Sequence, residues 1–147
     1  EGIRIQAGTA RSFYLGIEQR MLAVPGMKPH INGLCIVPQG TEEGTDITFP
    51  QQQFGLMTGE KSSFCFFSSL KRSCDKAGDM ILNAEQELDP SHELSLKIEK
   101  LDGNKTDGLI PVYIDASINE LGTLQIFMKH TQSEQKWQLT YNVRPEN

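Results

Sequence analysis

The stretch Ile110–His130, IPVYIDASINELGTLQIFMKH, constrains the fold more than any other part of the chain. Val112, Ile114, Ala116 and Ile118 fall on one parity, and Tyr113, Asp115, Ser117 and Asn119 on the other. A period of two sorts these sets onto opposite faces of a strand, whereas a helix groups residues three and four apart. After Asn119-Glu120-Leu121-Gly122 the pattern resumes with Leu124, Ile126 and Met128. Asn and Gly tolerate positive φ, so the break reads as a hairpin turn. The chain is thereby committed to an antiparallel pair with one face buried and one wet. Asp115 lies on the wet face and Glu120 in the turn. A general acid–base pair needs a cleft and a shifted pKa, so both read as solvated groups.

The same alternation recurs elsewhere. Arg11–Arg20 places Phe13, Leu15 and Ile17 against Ser12, Tyr14, Gly16 and Glu18. Leu34–Pro38 reads as a short buried strand, Ile47–Phe49 as one ended by Pro50, and Gln53–Glu60 as a further fragment. Ser62–Ser69, SSFCFFSS, sets Phe64 and Phe66 opposite Cys65 and Phe67, and Asp79–Leu82 is strand-like. Glu93–Leu101 alternates Leu94, Leu96 and Ile98 with Ser95, Lys97 and Glu99. Lys136–Arg144 closes the series with Trp137, Leu139, Tyr141 and Val143 on one face.

Between these lie Pro- and Gly-rich or polar connections: Ala23–Cys35, read as a loop or interrupted edge, then Gly40–Asp46, Leu70–Gly78, Asp102–Gly108 and Thr131–Gln135. Asn83–His92 holds the one candidate helical turn, stopped by Pro90. Short strands at roughly 8–12-residue spacing predict an all-β, antiparallel β-sandwich of about eight or nine short strands with at most one short helix.

At 147 residues the chain suits a single domain over residues 1–147 with a core that needs no staples. It starts at Glu1 and runs straight into strand-like residues, which suggests a piece of a longer protein. A net charge of −5 argues against nucleic acid, which calls for clustered Lys and Arg. No apolar run approaches membrane length, and no leader pattern opens the chain.

The three cysteines, Cys35, Cys65 and Cys74, are odd in number and lack a Cys-x-x-Cys, the usage of a reducing compartment such as the cytoplasm. His30, His92 and His130 are scattered and form no metal-binding spacing. Cys74 alone has basic neighbours (Lys71, Arg72 and Lys76), a setting that lowers a thiol pKa. No nucleophile elbow and no phosphate-cradling glycine motif is present, so the segment reads as non-enzymatic with no cofactor. The Phe64-Cys65-Phe66-Phe67 run is the feature left over. Its aromatics either complete the core or line a groove for an apolar ligand or an extended peptide.

Three ordered stretches resemble the substrate-binding β-sandwich of DnaK-type (seventy-kilodalton heat-shock) chaperones: Tyr14–Glu18 (YLGIE), Tyr113–Phe127 (YIDASINELGTLQIF) and Gln135–Val143 (QKWQLTYNV). SFYLGIE, AVPGM, EEGTD and NVRPE are similar to a divergent bacterial branch of that family. The resemblance implies a peptide-binding module that follows a nucleotide-binding domain of the same chain, where any ATPase activity would reside. Its partners would be extended apolar peptides or unfolded protein segments, without nucleic acid or membrane. The peptide-binding positions it implies are Ile17, Arg20, Ile47, Phe49, Phe64 and Phe66. The alternative is a non-catalytic interaction or scaffold domain that kept the sandwich and lost the cleft.

Overall fold

The computed structural model describes residues 3–4, 11–19, 30–57, 61–97 and 109–141. In chain order the elements are β1 (Ile3–Arg4), β2 (Ser12–Gln19), β3 (His30–Val37), β4 (Asp46–Met57), β5 (Lys61–Ser69), β6 (Met80–Ile81), α1 (Ala84–Glu87), β7 (Asp89–Lys97), β8 (Leu109–Ile118), β9 (Thr123–His130), β10 (Lys136–Gln138) and β11 (Thr140–Tyr141). The strands form two antiparallel sheets, and the helix is a single turn. The all-β antiparallel class read from the sequence is therefore the class observed. Of the eleven strands described, three span only two residues, which leaves eight longer ones.

The chain divides into two compact units. The first comprises Glu1–Gln6, Glu42–Ser63 and Leu94–Asn147. Its sheet runs β1-β9-β8-β4, with β10 on the same side of β9 as β1. The opening hairpin forms as its alternation demands: Val112, Ile114, Ala116 and Ile118 are buried, as are Leu124, Ile126 and Met128. Gly122 turns with φ 77°. Asn119 Oδ1 accepts from the amides of Leu121 (2.9 Å) and Thr123 (3.0 Å), which fixes the turn from within. On the polar face Lys129 pairs with Asp115 at 3.0 Å.

Two expected strands, Ile47–Phe49 and Gln53–Glu60, are one strand, β4. Pro50 does not end it. Pairing with β8 runs from Asp46↔Ser117 to Phe49↔Ile114 and resumes at Gln53↔Tyr113. Pro50, Gln51 and Gln52 bulge out of the ladder, a position where a residue without an N–H loses nothing.

The last expected strand, in contrast, is two. β10 pairs with β9, and the Leu139 amide donates to the Ile126 carbonyl at 2.8 Å. Thr140 and Tyr141 then pair with Ser95 and Leu94 of β7. Trp137 is partly buried, edge-on to His130 at 6.4 Å. Val143, Ile98 and Asp102–Gly108 lie outside the described residues.

The second unit comprises Ala7–Thr41 and Phe64–Glu93. Its strands run β7-β5-β2-β3-β6. The segment around His30–Gly33, read as loop from its glycine and its nearness to Pro29, belongs to β3. Gly33 is accommodated because Leu88 fills its face: a Cβ there would lie 2.7 Å from Leu88 Cδ1. The helix stops at Leu88, extended at φ −127°, before Pro90 is reached; Pro90 itself lies in β7. Ser12, Tyr14 and Gly16 are buried along with Phe13 and Leu15, so β2 is covered on both faces.

Candidate functional site

β2 and β5 carry three of the residues that the resemblance singles out. Their ladder joins Ser12↔Ser69, Phe13↔Ser68, Tyr14↔Phe67 and Leu15↔Phe66, and among the described residues it goes no further. On its other side β2 stays paired with β3 as far as Gln19↔His30. Phe66 has no exposed surface. Its ring stacks on Phe13 at 5.6 Å and 11°, a diagonal cross-strand pair, and it lies 6.1 Å from the His92 ring on β7. Burial lowers the His92 pKa, favouring a neutral imidazole against this aromatic surface.

One step beyond the ladder, Ile17 and Phe64 are only partly covered. The β2–β5 register, continued by two residues, sets them opposite one another. Apolar surface that is sealed at Leu15 and Phe66 thus reaches solvent at Ile17 and Phe64. β2 leads from here into residues 20–29, and β5 is entered from residues 58–60. Arg20 lies outside the described residues.

Ile47 and Phe49 belong to the first unit. They sit on β4 opposite Ala116 and Ile114, with Phe49 buried and Ile47 partly exposed. The six sequence-derived positions therefore divide: Ile17, Phe64 and Phe66 on one unit, Ile47 and Phe49 on the other, Arg20 undescribed.

A polar cluster in the second unit escaped the sequence reading. The fully buried Tyr14 hydroxyl donates to Asp75 Oδ2 at 2.6 Å, and its oxygen accepts from Ser12 Oγ at 2.7 Å. Arg72 Nε donates to the same Asp75 oxygen at 2.6 Å, and its guanidinium lies 3.9 Å from Glu87 on α1. Burial of Asp75 favours its neutral acid, but the hydrogen bonds from Arg72 and Tyr14 prevail and hold its pKa below the ordinary value. Tyr14 moves the other way, raised by burial and by the Asp75 carboxylate.

Cys35 lies under this cluster with no exposed surface. Burial, with Asp75 and Asp79 nearby, pushes its pKa up to about 12, so it is an inert thiol. The available sequence signals were Tyr14 on the otherwise polar parity of β2 and the Arg72/Asp75 spacing. Cys74 is exposed, and Arg72 turns to Asp75. Among the described residues, no helix is long and apolar enough to cross a membrane. Searches against protein-family models and the curated proteins find no match.

Proposed function

We propose that this chain is the peptide-binding module of a divergent bacterial DnaK-like chaperone, non-catalytic in itself, which holds an extended apolar segment at the Ile17–Phe64 end of β2 and β5. The observation that carries the reading is the emergence of apolar surface at those two side chains where the β2–β5 ladder stops. An extended segment there would gain backbone hydrogen bonds from strand addition and selectivity from one aliphatic side chain against Ile17 and Phe64. ATP hydrolysis would belong to a nucleotide-binding domain elsewhere in the protein, and the setting would be the cytoplasm. The test is anisotropy of a labelled Leu- and Ile-rich peptide titrated with the domain. Saturable binding is expected, with Kd on the order of 10 μM or weaker. Phe64→Ala weakens it by about tenfold or more, and Tyr113→Ala leaves it unchanged. No saturation up to millimolar concentration refutes the reading.

The second reading, a scaffold that kept the sheets and lost the cleft, draws on a different observation. Phe66 is sealed against Phe13, so that part of the aromatic run acts as core. It predicts no peptide binding and a stable fold.

A further inference from the structure

We infer that residues Leu70–Leu88 form a strap that seals one face of β2, β3 and β5, is latched by the Asp75 carboxylate, and opens as a unit, β6 included, while β2 stays paired with β3 and β5. The strap contributes Ile81, Ala84 and Leu88 to a cluster whose other half is Tyr14 from β2, Cys35 from β3 and Phe67 from β5, with Ile31 at its margin. Leu88 enters the space that Gly33 leaves open. Three kinds of contact hold the strap down. The first is this apolar insertion. The second is a short ladder: Ile81 and Met80 pair with Gly33 and Leu34, and Cys35 exchanges backbone bonds with Asp79 and Gly78, each of 2.8 Å. The third is the latch, in which Asp75 takes the Tyr14 hydroxyl from the sheet and the Arg72 guanidinium from the strap, while Arg72 faces Glu87 on α1.

The strap has little structure of its own to resist opening. Its helix is one turn long and begins at Asn83, a left-handed residue (φ 55°) with no side-chain cap hydrogen bond. A single turn is not self-sustaining. Leu70, Met80 and Leu82 are 55%, 38% and 63% exposed, so these apolar side chains are only partly buried. β2, in contrast, is paired on both sides. Segments with few buried contacts open below the free energy of global unfolding. The Asp75 carboxylate joins β2 to the strap and, through Arg72, to α1, so it sets how often that opening happens.

Cys35 reports the event. In the full chain carrying Cys65→Ser and Cys74→Ser it is the remaining thiol. When exposed, its thiolate attacks the disulfide of 5,5′-dithiobis(2-nitrobenzoate), forming a mixed disulfide and releasing one coloured thiolate. Under native conditions Asp75→Asn should raise the labelling rate roughly 10- to 100-fold, the effect of losing a charge-assisted bond. The far-UV circular dichroism should be kept; the urea midpoint should fall as well, because the bond is absent from the open and the unfolded state alike. Met128→Ala, in the other unit, should lower the urea midpoint and leave labelling unchanged. Arg72→Gln, which spares the Tyr14–Asp75 bond, should give a smaller increase, and it decides the matter if Asp75→Asn does not fold. Labelling that tracks the urea midpoint across all variants, or that is indifferent to Asp75 and Arg72, overturns the strap.

Discussion

Replacing Gly16 with Ala tests whether the glycine of Tyr14–Glu18 is there for shape. A Cβ at Gly16 would lie 2.8 Å from the Cys65 carbonyl oxygen, 3.0 Å from Phe67 Cε2 and 3.2 Å from Ile31 Cγ2. The nearest atom is backbone, so relief requires β5 itself to shift. Overpacking of this kind costs about 1–3 kcal/mol. Reduced freedom of the unfolded chain returns about 0.4–1 kcal/mol, leaving a net loss of about 1.3 kcal/mol at the centre of the two ranges. Gly33→Ala is the matched control. Its nearest neighbour, at 2.7 Å, is the far end of the Leu88 side chain, which can rotate away, and the next is Tyr14 Cβ at 3.3 Å. Its net cost should be under about 1 kcal/mol. With a urea m-value of about 2 kcal/mol/M, Gly16→Ala lowers the midpoint by about 0.5–1 M and Gly33→Ala by less than about 0.5 M. The readout is far-UV circular dichroism. A Gly16→Ala protein as stable as wild type, or one that loses less than Gly33→Ala, refutes the argument from close approach.

Tyr14→Phe removes the buried donor to Asp75 and should cost about 1–3 kcal/mol in urea unfolding. The Asp75 carboxyl has a folded pKa below its unfolded one. Its contribution is therefore full above about pH 3.9 and is lost as pH falls through the folded value; in melting curves between pH 2 and 6, Asp75→Asn should flatten that decline. Cys35 has a folded pKa pushed up to about 12, so above about pH 8.5 the unfolded thiol ionises first and stability falls as pH rises. Between about pH 8.5 and 10, Cys35→Ala in the Cys65→Ser, Cys74→Ser background should reduce the slope of the urea midpoint. Asp115→Asn and Glu120→Gln should each change stability by no more than about 1 kcal/mol, because the Lys129–Asp115 pair is partly solvated and Glu120 is exposed in its turn. A larger loss in urea unfolding would overturn the wet-face reading.

What the sequence discloses here is what alternation can encode. The β8–β9 hairpin was legible residue by residue, turn included, because one face is buried and the other is not. β2 was found, but its double burial was not, since Ser12 and Gly16 carry no apolar signal of the face they share with Tyr14. β4 was cut in two at Pro50 because a proline reads as an end when its missing donor falls in a bulge. β3 was shortened at Gly33, where the glycine answers to Leu88, a residue remote in sequence. The split of the last strand after Leu139 was invisible, as both halves keep the same parity and only the partner changes. For the candidate site, sequence marked Ile17 and Phe64 through resemblance, yet could not tell the sealed Phe66 from the half-open Phe64 two residues earlier. Both sit on the same face of one strand and differ only in where the neighbouring ladder ends.

The outer edge of β9 has a kinetic consequence. It is covered by two separate pieces of chain, β10 at Phe127–Lys129 and β1 at Leu124 and Thr123. β10 returns to partners about 7–11 residues back, but Ile3 must find Leu124 across roughly 120. Closing the longer loop costs about 2 kcal/mol more in chain entropy, for two residues of pairing among those described. β1 should therefore dock last and fray first. While it is away, Thr123 and Leu124 present an unsatisfied strip of backbone, next to a hairpin already rigid, to whatever extended chain is nearest. During synthesis the segment that will cover this strip emerges first and must wait for its partner. In the interval between the formation of β9 and the docking of β1, this strip is open to pairing with another copy of the chain.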